Sequence, residues 1–169
     1  MGTTIGGAKK AFLFVDAKSN AWKKTLVISD RQLPAVLRRF LLWVELNHYR
    51  TRVIIVDTYS VNISDAAEAV ADEFDCVIRP VSAGTPQEMG RAEGAVGELR
   101  RMTRATFVAA PHFDPTKYWG LADEWNTWVH YILPGRDRGK SAYEICEGRN
   151  RTSRICSSKH SDVQWHSNQ

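Results

Sequence analysis

The sequence has few cysteines, no long apolar run and no secretory leader, and each absence excludes a class of protein. Its three cysteines, Cys76, Cys146 and Cys156, are odd in number and lack metal-binding spacing, which argues against a disulfide framework and favours a reducing compartment. No apolar run reaches 18 residues, so no membrane span is expected. The first ten residues lack an apolar centre, so we expect a nuclear or cytoplasmic location and not secretion.

Charge and composition narrow the possible functions of the chain only slightly. The 169 residues suffice for one domain with a core, and 43% hydrophobic with 25% charged residues is typical of a globular protein. The formal net charge of +4 is compatible with a polyanionic partner and equally with an ordinary solvated surface.

Periodicity predicts an α/β order of elements. Apolar runs of strand length occupy residues 10–17, 23–29, 52–58 and 76–81. The first two flank a polar turn and predict a hairpin, and the third is typical of a strand buried on both faces. Helices are predicted after an N-cap at Ser29 or Asp30 (with Pro34 near the first turn), after Ser64, over residues 86–109 and after Asp114. We therefore expect a mixed sheet flanked by helices in one domain of residues 1–149, and a polar, mostly disordered tail over residues 150–169.

Two acidic residues follow strands in a way that suggests a functional site. Asp57 ends the third apolar run, and Glu93 lies on the helix after the fourth, with thirty-five residues between them. Functional groups collect at the carboxyl ends of strands in open α/β sheets. Two carboxylates brought together there would favour Mg²⁺ or Mn²⁺, the ions used in two-metal phosphodiester chemistry. A strand-end Asp that only caps a turn is the alternative.

Arginines extend the pattern along the same helix. Arg100 and Arg104 lie seven and eleven residues after Glu93, so helical geometry places all three on nearly one face, with Arg101 slightly to the side. Such a face could bind a phosphate backbone, or it could be a solvated basic surface. Lys9, Lys10, Lys23 and Lys24 flank the hairpin and are expected to be solvated, with contact to phosphate as the alternative.

The segment TPQEMGRAEG, residues 85–94, resembles the TPQxxGxxE signature of copia-type retroelement integrases. The spacing from Asp57 to Glu93 is similar to that family's, and so are GGAKKAFLFVDAKSNAW, YWGLADEWNTW and SAYEICEGRN, in the same order along the chain. The resemblance implies a ribonuclease H-like fold and a polynucleotidyl transferase that joins element DNA to a target duplex. It also implies a divalent-metal site with Asp57 and Glu93 as ligands, and a homodimer that uses the aromatic face of the late helix.

The sequence departs from that family at its first catalytic acid. Asp16 ends a strand and is the remaining candidate, but FVDAKSNAW aligns with the family's second strand. We therefore expect the first, central strand of the sheet to be absent, with Met1 in the loop after it. The family's Asn-Gly-Gly after the second acid is also absent, since Asp57 is followed by TYSVNIS.

Three interpretations follow from these departures. The chain is an integrase-like core, either active or a decayed fragment. Alternatively, it is a non-catalytic nucleic-acid-binding module that keeps the fold and the basic helix. The third is an unstable product, because unpaired strand edges promote aggregation.

Overall fold

The computed structural model describes residues 3–46, 50–56, 64–81, 86–135 and 139–147. The elements follow the predicted order of strand, strand, helix, strand, helix, strand and then helices. Their bounds are β1 Lys10–Val15, β2 Trp22–Val27, α1 Leu33–Leu46, β3 Val53–Val56, α2 Asp65–Glu73, β4 Val77–Pro80, α3 Pro86–Ala109, α4 Pro115–Ile132 and α5 Ala142–Glu147. The predicted tail at residues 150–169 lies outside the described residues.

The predicted hairpin is confirmed. Strands β1 and β2 pair antiparallel, with Lys10 opposite Val27 and Val15 opposite Trp22. The turn between them contains Asn20 with a φ of 57°, a left-handed conformation that Asn tolerates better than most residues. Each strand ends two residues earlier than its apolar run predicts, because the chain turns at these positions.

The second pair of strands is joined by a helix. Strands β3 and β4 are parallel, with Val53 beside Val77 and Val56 beside Pro80, and α2 forms the crossover between them. Parallel neighbouring strands require such a crossover because the chain must return to the end of the sheet at which the first strand began. Within the described residues the two pairs form separate two-stranded sheets.

One helical layer supports both sheets. Side chains of α1 and α2 form a buried cluster, and Phe12 and Phe14 of β1 pack against it together with Ile54 of β3 and Ile78 of β4. The amphipathic spacing of α1 produces this arrangement, since Leu33, Leu37 and Leu41 lie on one helical face. The buried members are Leu33, Leu37, Leu41, Ala67, Val70, Ala71 and Cys76.

The expectation that β3 is buried on both faces is wrong. Val53 is 50% exposed and Ile55 39% exposed, although the alternate residue Ile54 packs into the core. Val77, beside Val53 on β4, is 62% exposed. The helices α1 and α2 cover only one face of this sheet, whereas α3 packs on β1 instead. An apolar surface therefore remains exposed on the opposite face of β3 and β4.

Helix α3 spans the predicted residues, and α4 begins after its predicted N-cap, Asp114. The Asp114 carboxylate accepts a hydrogen bond from the Thr116 backbone N–H, as an N-cap does, and Pro115 occupies the first turn. Hydrogen bonds from Thr116 lower the pKa of the Asp114 carboxyl. No helix in the described ranges is long and apolar enough to cross a bilayer.

Candidate nucleic-acid interface and metal site

Helix α3 is fixed to the hairpin by one narrow apolar face. Ala95 and Leu99 are almost completely buried, and they form a cluster with Trp22 of β2. Leu13 and Val15 of β1 pack against the same cluster, as does Met102 one turn further along α3. Because this face points inward, the opposite face of α3 points to solvent.

The outward face of α3 carries the residues that the sequence singled out. Glu93, Arg100 and Arg104 are all exposed, at positions i, i+7 and i+11. Arg101 is also exposed, and its guanidinium donates a hydrogen bond to the Glu98 carboxylate on the same helix. The predicted arrangement of one acid followed by a basic stripe is therefore present on the surface.

The glycines of α3 leave its outward face without side chains at three positions. A Cβ atom built at Gly90, Gly94 or Gly97 would have no neighbouring atom within 4 Å, so each position faces open space. A helix interior loses about 1 kcal/mol for each glycine in place of alanine. The absence of side chains lets the backbone of a ligand approach the helix closely between Glu93 and Arg100.

Asp16 lies in the turn between β1 and β2 and not on a strand. Its Oδ2 accepts hydrogen bonds from the Ser19 backbone N–H and from the Ser19 hydroxyl, each at 2.6 Å. The Asp16 backbone N–H also donates to the Ala21 carbonyl. These bonds give Asp16 a structural part in closing the hairpin.

Asp57, the proposed partner of Glu93, lies outside the described residues. Within the part of the chain that the structure describes, no three His, Cys, Asp or Glu side chains are grouped so that they could hold a metal ion. The described residues therefore contribute Glu93 as one exposed carboxylate at the start of the basic face.

A buried polar network orients α3, and sequence analysis missed it. The Lys24 ammonium donates to Asp123 Oδ2 on α4 at 2.6 Å, and the Thr103 hydroxyl of α3 donates to the other oxygen of Asp123. Asn126 of α4 donates to the Thr106 hydroxyl of α3 at 3.0 Å. The network links β2, α3 and α4. These bonds on the buried side of α3 therefore fix which of its faces points to solvent.

The expectation that Lys24 is solvated is wrong, because its side chain is only 2% exposed. Burial lowers the pKa of Lys24, and the hydrogen bond that its ammonium donates to Asp123 opposes that effect. The ammonium also lies 5.0 Å from the ring centroid of Trp119. Strand alternation gives a usable signal, since Lys24 follows the buried Trp22 by two residues and must share its face.

Solved structures with a similar fold come from retroviral integrases. No protein-family model and no curated protein matches the sequence. One similar chain belongs to the simian T-cell lymphotropic virus intasome in complex with PP2A regulatory subunit B56 gamma, with a TM-score of 0.64 and 14% identity. The match covers 83% of this chain and 49% of that one, so this chain spans about half its length.

A second similar structure is the HTLV-2 integrase catalytic core domain in complex with magnesium, in its dimeric form. Its TM-score is 0.59 at 15% identity, and the match covers 79% of this chain and 81% of that chain. The trimeric form of the same domain gives a TM-score of 0.60. This chain therefore has the mixed α/β, ribonuclease H-like fold of an integrase catalytic core.

Proposed function

We propose that this chain is an integrase-like core domain of copia-type retroelement origin that binds duplex DNA along the outward face of α3 and acts on phosphodiesters. The observation that carries the proposal is the exposure of Glu93, Arg100 and Arg104 on one face of a helix in an integrase-type fold. The TPQEMGRAEG motif, which spans Glu93, supports the retroelement origin. The working compartment is the nucleus or cytoplasm.

The geometry of α3 suits a phosphate backbone. Guanidinium groups bind phosphate oxygens with paired hydrogen bonds, and Arg100 and Arg104 lie one turn apart on the exposed face. The open surface at Gly94 and Gly97 lets a DNA strand approach the helix between the carboxylate and the arginines.

Asp57 and Glu93 are the proposed metal ligands. Carboxylate oxygens are the donors that Mg²⁺ and Mn²⁺ prefer, and Glu93 fits this role because its carboxylate is exposed where the basic face begins. Such an ion, when bound, supplies the charge that stabilises the attacking and leaving oxygens of a phosphodiester. The third acid of the family's site is either lost in this chain or supplied by Asp16.

Replacing both Arg100 and Arg104 by alanine is expected to weaken binding to a duplex of about 20 base pairs. Each lost phosphate contact lowers the slope of log K against log salt by about 0.9, so the double variant should reduce the slope by about 2. Fluorescence anisotropy from low to physiological salt measures both affinity and slope.

The matched control for this test is Arg39→Ala, which removes an exposed arginine from α1. We expect Arg39→Ala to leave the slope unchanged. Equal slopes for the unmodified protein and the Arg100/Arg104 double variant would contradict the proposed interface.

A second experiment addresses the carboxylates. Loss of a residue that merely supports a metal ligand costs about tenfold or more in affinity, so Glu93→Gln and Asp57→Asn should each weaken Mn²⁺ binding at least that much. Isothermal titration with MnCl₂ measures the affinity, and Glu98→Gln on the same helix is the control. Unchanged Mn²⁺ affinity in both variants would refute the metal site.

The alternative function is DNA binding without catalysis, and the intramolecular bond from Ser19 to Asp16 favours it, because that carboxylate is already engaged in a turn. In this case the arginine variants lose DNA affinity, whereas Glu93→Gln and Asp57→Asn change neither Mn²⁺ binding nor DNA binding. The two experiments together therefore distinguish the two functions.

Self-association through α4 belongs to the same proposal. Leu121, Trp125 and Trp128 are 52%, 57% and 50% exposed, and the two indole rings lie 5.2 Å apart. A hot-spot residue at an interface costs about 2 kcal/mol or more when it is truncated to alanine, so changing both tryptophans should weaken a dimer by more than about thirtyfold. Sedimentation velocity measures the change, with Val108→Ala as the exposed control; an unaltered dimer would exclude this face.

A further inference from the structure

Two threonines of α3 face two polar residues of α4 with the same spacing. Thr103 and Thr106 lie three residues apart on α3, and Asp123 and Asn126 lie three residues apart on α4. Residues three apart are neighbours on the surface of a helix, so each pair lies on one face. The two helices therefore meet through two polar contacts that are about one helical turn apart.

The first contact joins Thr103 to Asp123. The Thr103 hydroxyl donates to Asp123 Oδ1, and Asp123 Oδ2 accepts a hydrogen bond from the Lys24 ammonium at 2.6 Å. The two oxygens of this carboxylate are thus engaged by two different elements, α3 and β2. Because the Lys24 side chain is only 2% exposed, the carboxylate cannot turn toward α3 or away from it without losing a buried bond.

The second contact joins Asn126 to both threonines. Its Nδ2 donates to the Thr106 hydroxyl at 3.0 Å and to the Thr103 hydroxyl at 3.4 Å. The Thr106 hydroxyl in turn donates to the Met102 carbonyl of its own helix at 3.0 Å. Asn126 is only 5% exposed, so one buried amide group spans both hydroxyls of α3.

The apolar contacts of α3 restrict its rotation less narrowly. The buried residues of its cluster with the hairpin are Ala95 and Leu99, and the burial of apolar surface is not directional. Hydrogen bonds, in contrast, weaken steeply when their angle falls below about 120°. The threonine contacts therefore set the angle of α3 about its own axis.

That angle determines where the arginines of the outward face lie. Arg104 directly follows Thr103 and Arg100 precedes it by three residues, so the helical repeat of about 100° per residue fixes both relative to Thr103. Helical side chains reach about 5–6 Å from the axis, so a rotation of about 20° moves them by about 2 Å. Hydrogen bonds to oxygen tolerate a range of only about 0.5 Å, so such a rotation would remove a phosphate contact.

We propose that Thr103 and Thr106 are positioning residues for DNA binding. Through their bonds to α4 they hold the outward face of α3 at the angle at which both of its arginines reach phosphates of one duplex. Neither threonine touches the DNA, because both hydroxyls are bound to α4. This inference rests on the proposed function, since it requires DNA on the outward face of α3.

The test is the double variant Thr103→Val with Thr106→Val, which removes both hydroxyls and keeps the side-chain volume. Fluorescence anisotropy with a DNA duplex over a range of salt should give a slope of log K against log salt that is lower by about 1, the loss of one phosphate contact. The titrations are made at a temperature at which circular dichroism shows every variant to be folded. A loss of stability alone therefore does not change the slope.

Two controls separate positioning from a general loss of packing. Thr103→Ser with Thr106→Ser keeps both hydroxyls and should retain the slope of the unmodified protein. Thr127→Val removes a buried hydroxyl whose bond, to the Asp123 carbonyl at 2.8 Å, stays within α4, and it should also leave the slope unchanged. If the double valine variant does not fold, the two single valine variants take its place, and each should lower the slope by a part of that amount.

The Met102 methyl group reports the angle of α3 in the absence of DNA. Met102 packs against the cluster that contains Trp22, and the chain has only three methionines, so its methyl resonance is simple to identify. In the double valine variant this resonance should shift or broaden as α3 turns relative to the cluster. In the double serine variant and in Thr127→Val it should keep its position.

The positioning role is overturned if the double valine variant keeps the slope of the unmodified protein, or if the serine variant loses it equally. An unchanged Met102 resonance also overturns it, because α3 has then not moved. Failure of the proposed function looks different, since the Arg100 and Arg104 double alanine variant then keeps the unmodified slope, and both proposals fail. A slope that falls in the arginine variant but not in the valine variant overturns the positioning role alone.

Discussion

Replacing Lys24 by methionine is expected to lower the free energy of unfolding by about 3–5 kcal/mol, the usual cost of removing one partner from a buried ion pair. The Asp123 carboxylate would lose the ammonium that lies 2.6 Å away and would remain only 17% exposed. Methionine fills similar volume, so lost packing contributes little. Urea unfolding followed by tryptophan fluorescence measures the change.

Two further variants serve as controls for this prediction. Lys23→Met alters the neighbouring residue, which faces the other side of β2 and lies 5.1 Å from the Trp43 ring, and should cost less than about 1 kcal/mol. The double variant Lys24→Met with Asp123→Asn removes both charges and keeps an oxygen for the Thr103 hydroxyl, so it should recover most of the loss. Equal destabilisation by Lys23→Met and Lys24→Met would show that Lys24 has no special role.

The pH dependence of the same group has a defined sign. Burial lowers the pKa of Lys24 below its ordinary value of 10.5, so the unfolded chain binds this proton more tightly than the folded protein. Stability contributed by this group therefore rises with pH between the lowered pKa and 10.5, and is constant below that range. The Lys24→Met variant should lack this alkaline component.

Replacing Leu41 by alanine is expected to cost about 2–5 kcal/mol, because the lost methyl groups leave a cavity in a packed core. Leu41 is 2% exposed and belongs to the cluster that supports both sheets. The effect should therefore reach the hairpin and the parallel pair together, and amide exchange should quicken in β1 and in β4.

Leu46, on the last turn of the same helix, provides the control. It is 79% exposed, so Leu46→Ala should change the free energy of unfolding by no more than about 0.5 kcal/mol, as surface substitutions usually do. A cost for Leu41→Ala no larger than that for Leu46→Ala would mean that the helical layer does not support the sheets as described.

The sequence was sufficient for the elements whose signals are local. Helix α3 spans the residues that its pattern predicts, and Glu93 and Arg100 lie on one exposed face because the helical repeat fixes their relative angle. The N-cap at Asp114 depends on a bond to a residue only two positions away. Such features need no knowledge of the rest of the chain.

The errors concern residues whose surroundings come from distant parts of the chain. A lysine in a polar-looking hairpin was expected to be solvated, but Asp123, 99 residues away, makes its burial possible. Likewise, the apolar run of β3 predicted burial on both faces, whereas the helices cover only one.

The order of strands and helices, the hairpin and the face of α3 that carries Glu93 and the arginines follow from local patterns in the sequence. Which face of each strand is covered and the burial of Lys24 became known from the packed fold, as did the helical layer under two sheets that share no ladder in the described residues. Backbone periodicity is set by neighbouring residues, whereas desolvation and strand pairing depend on which elements meet in space.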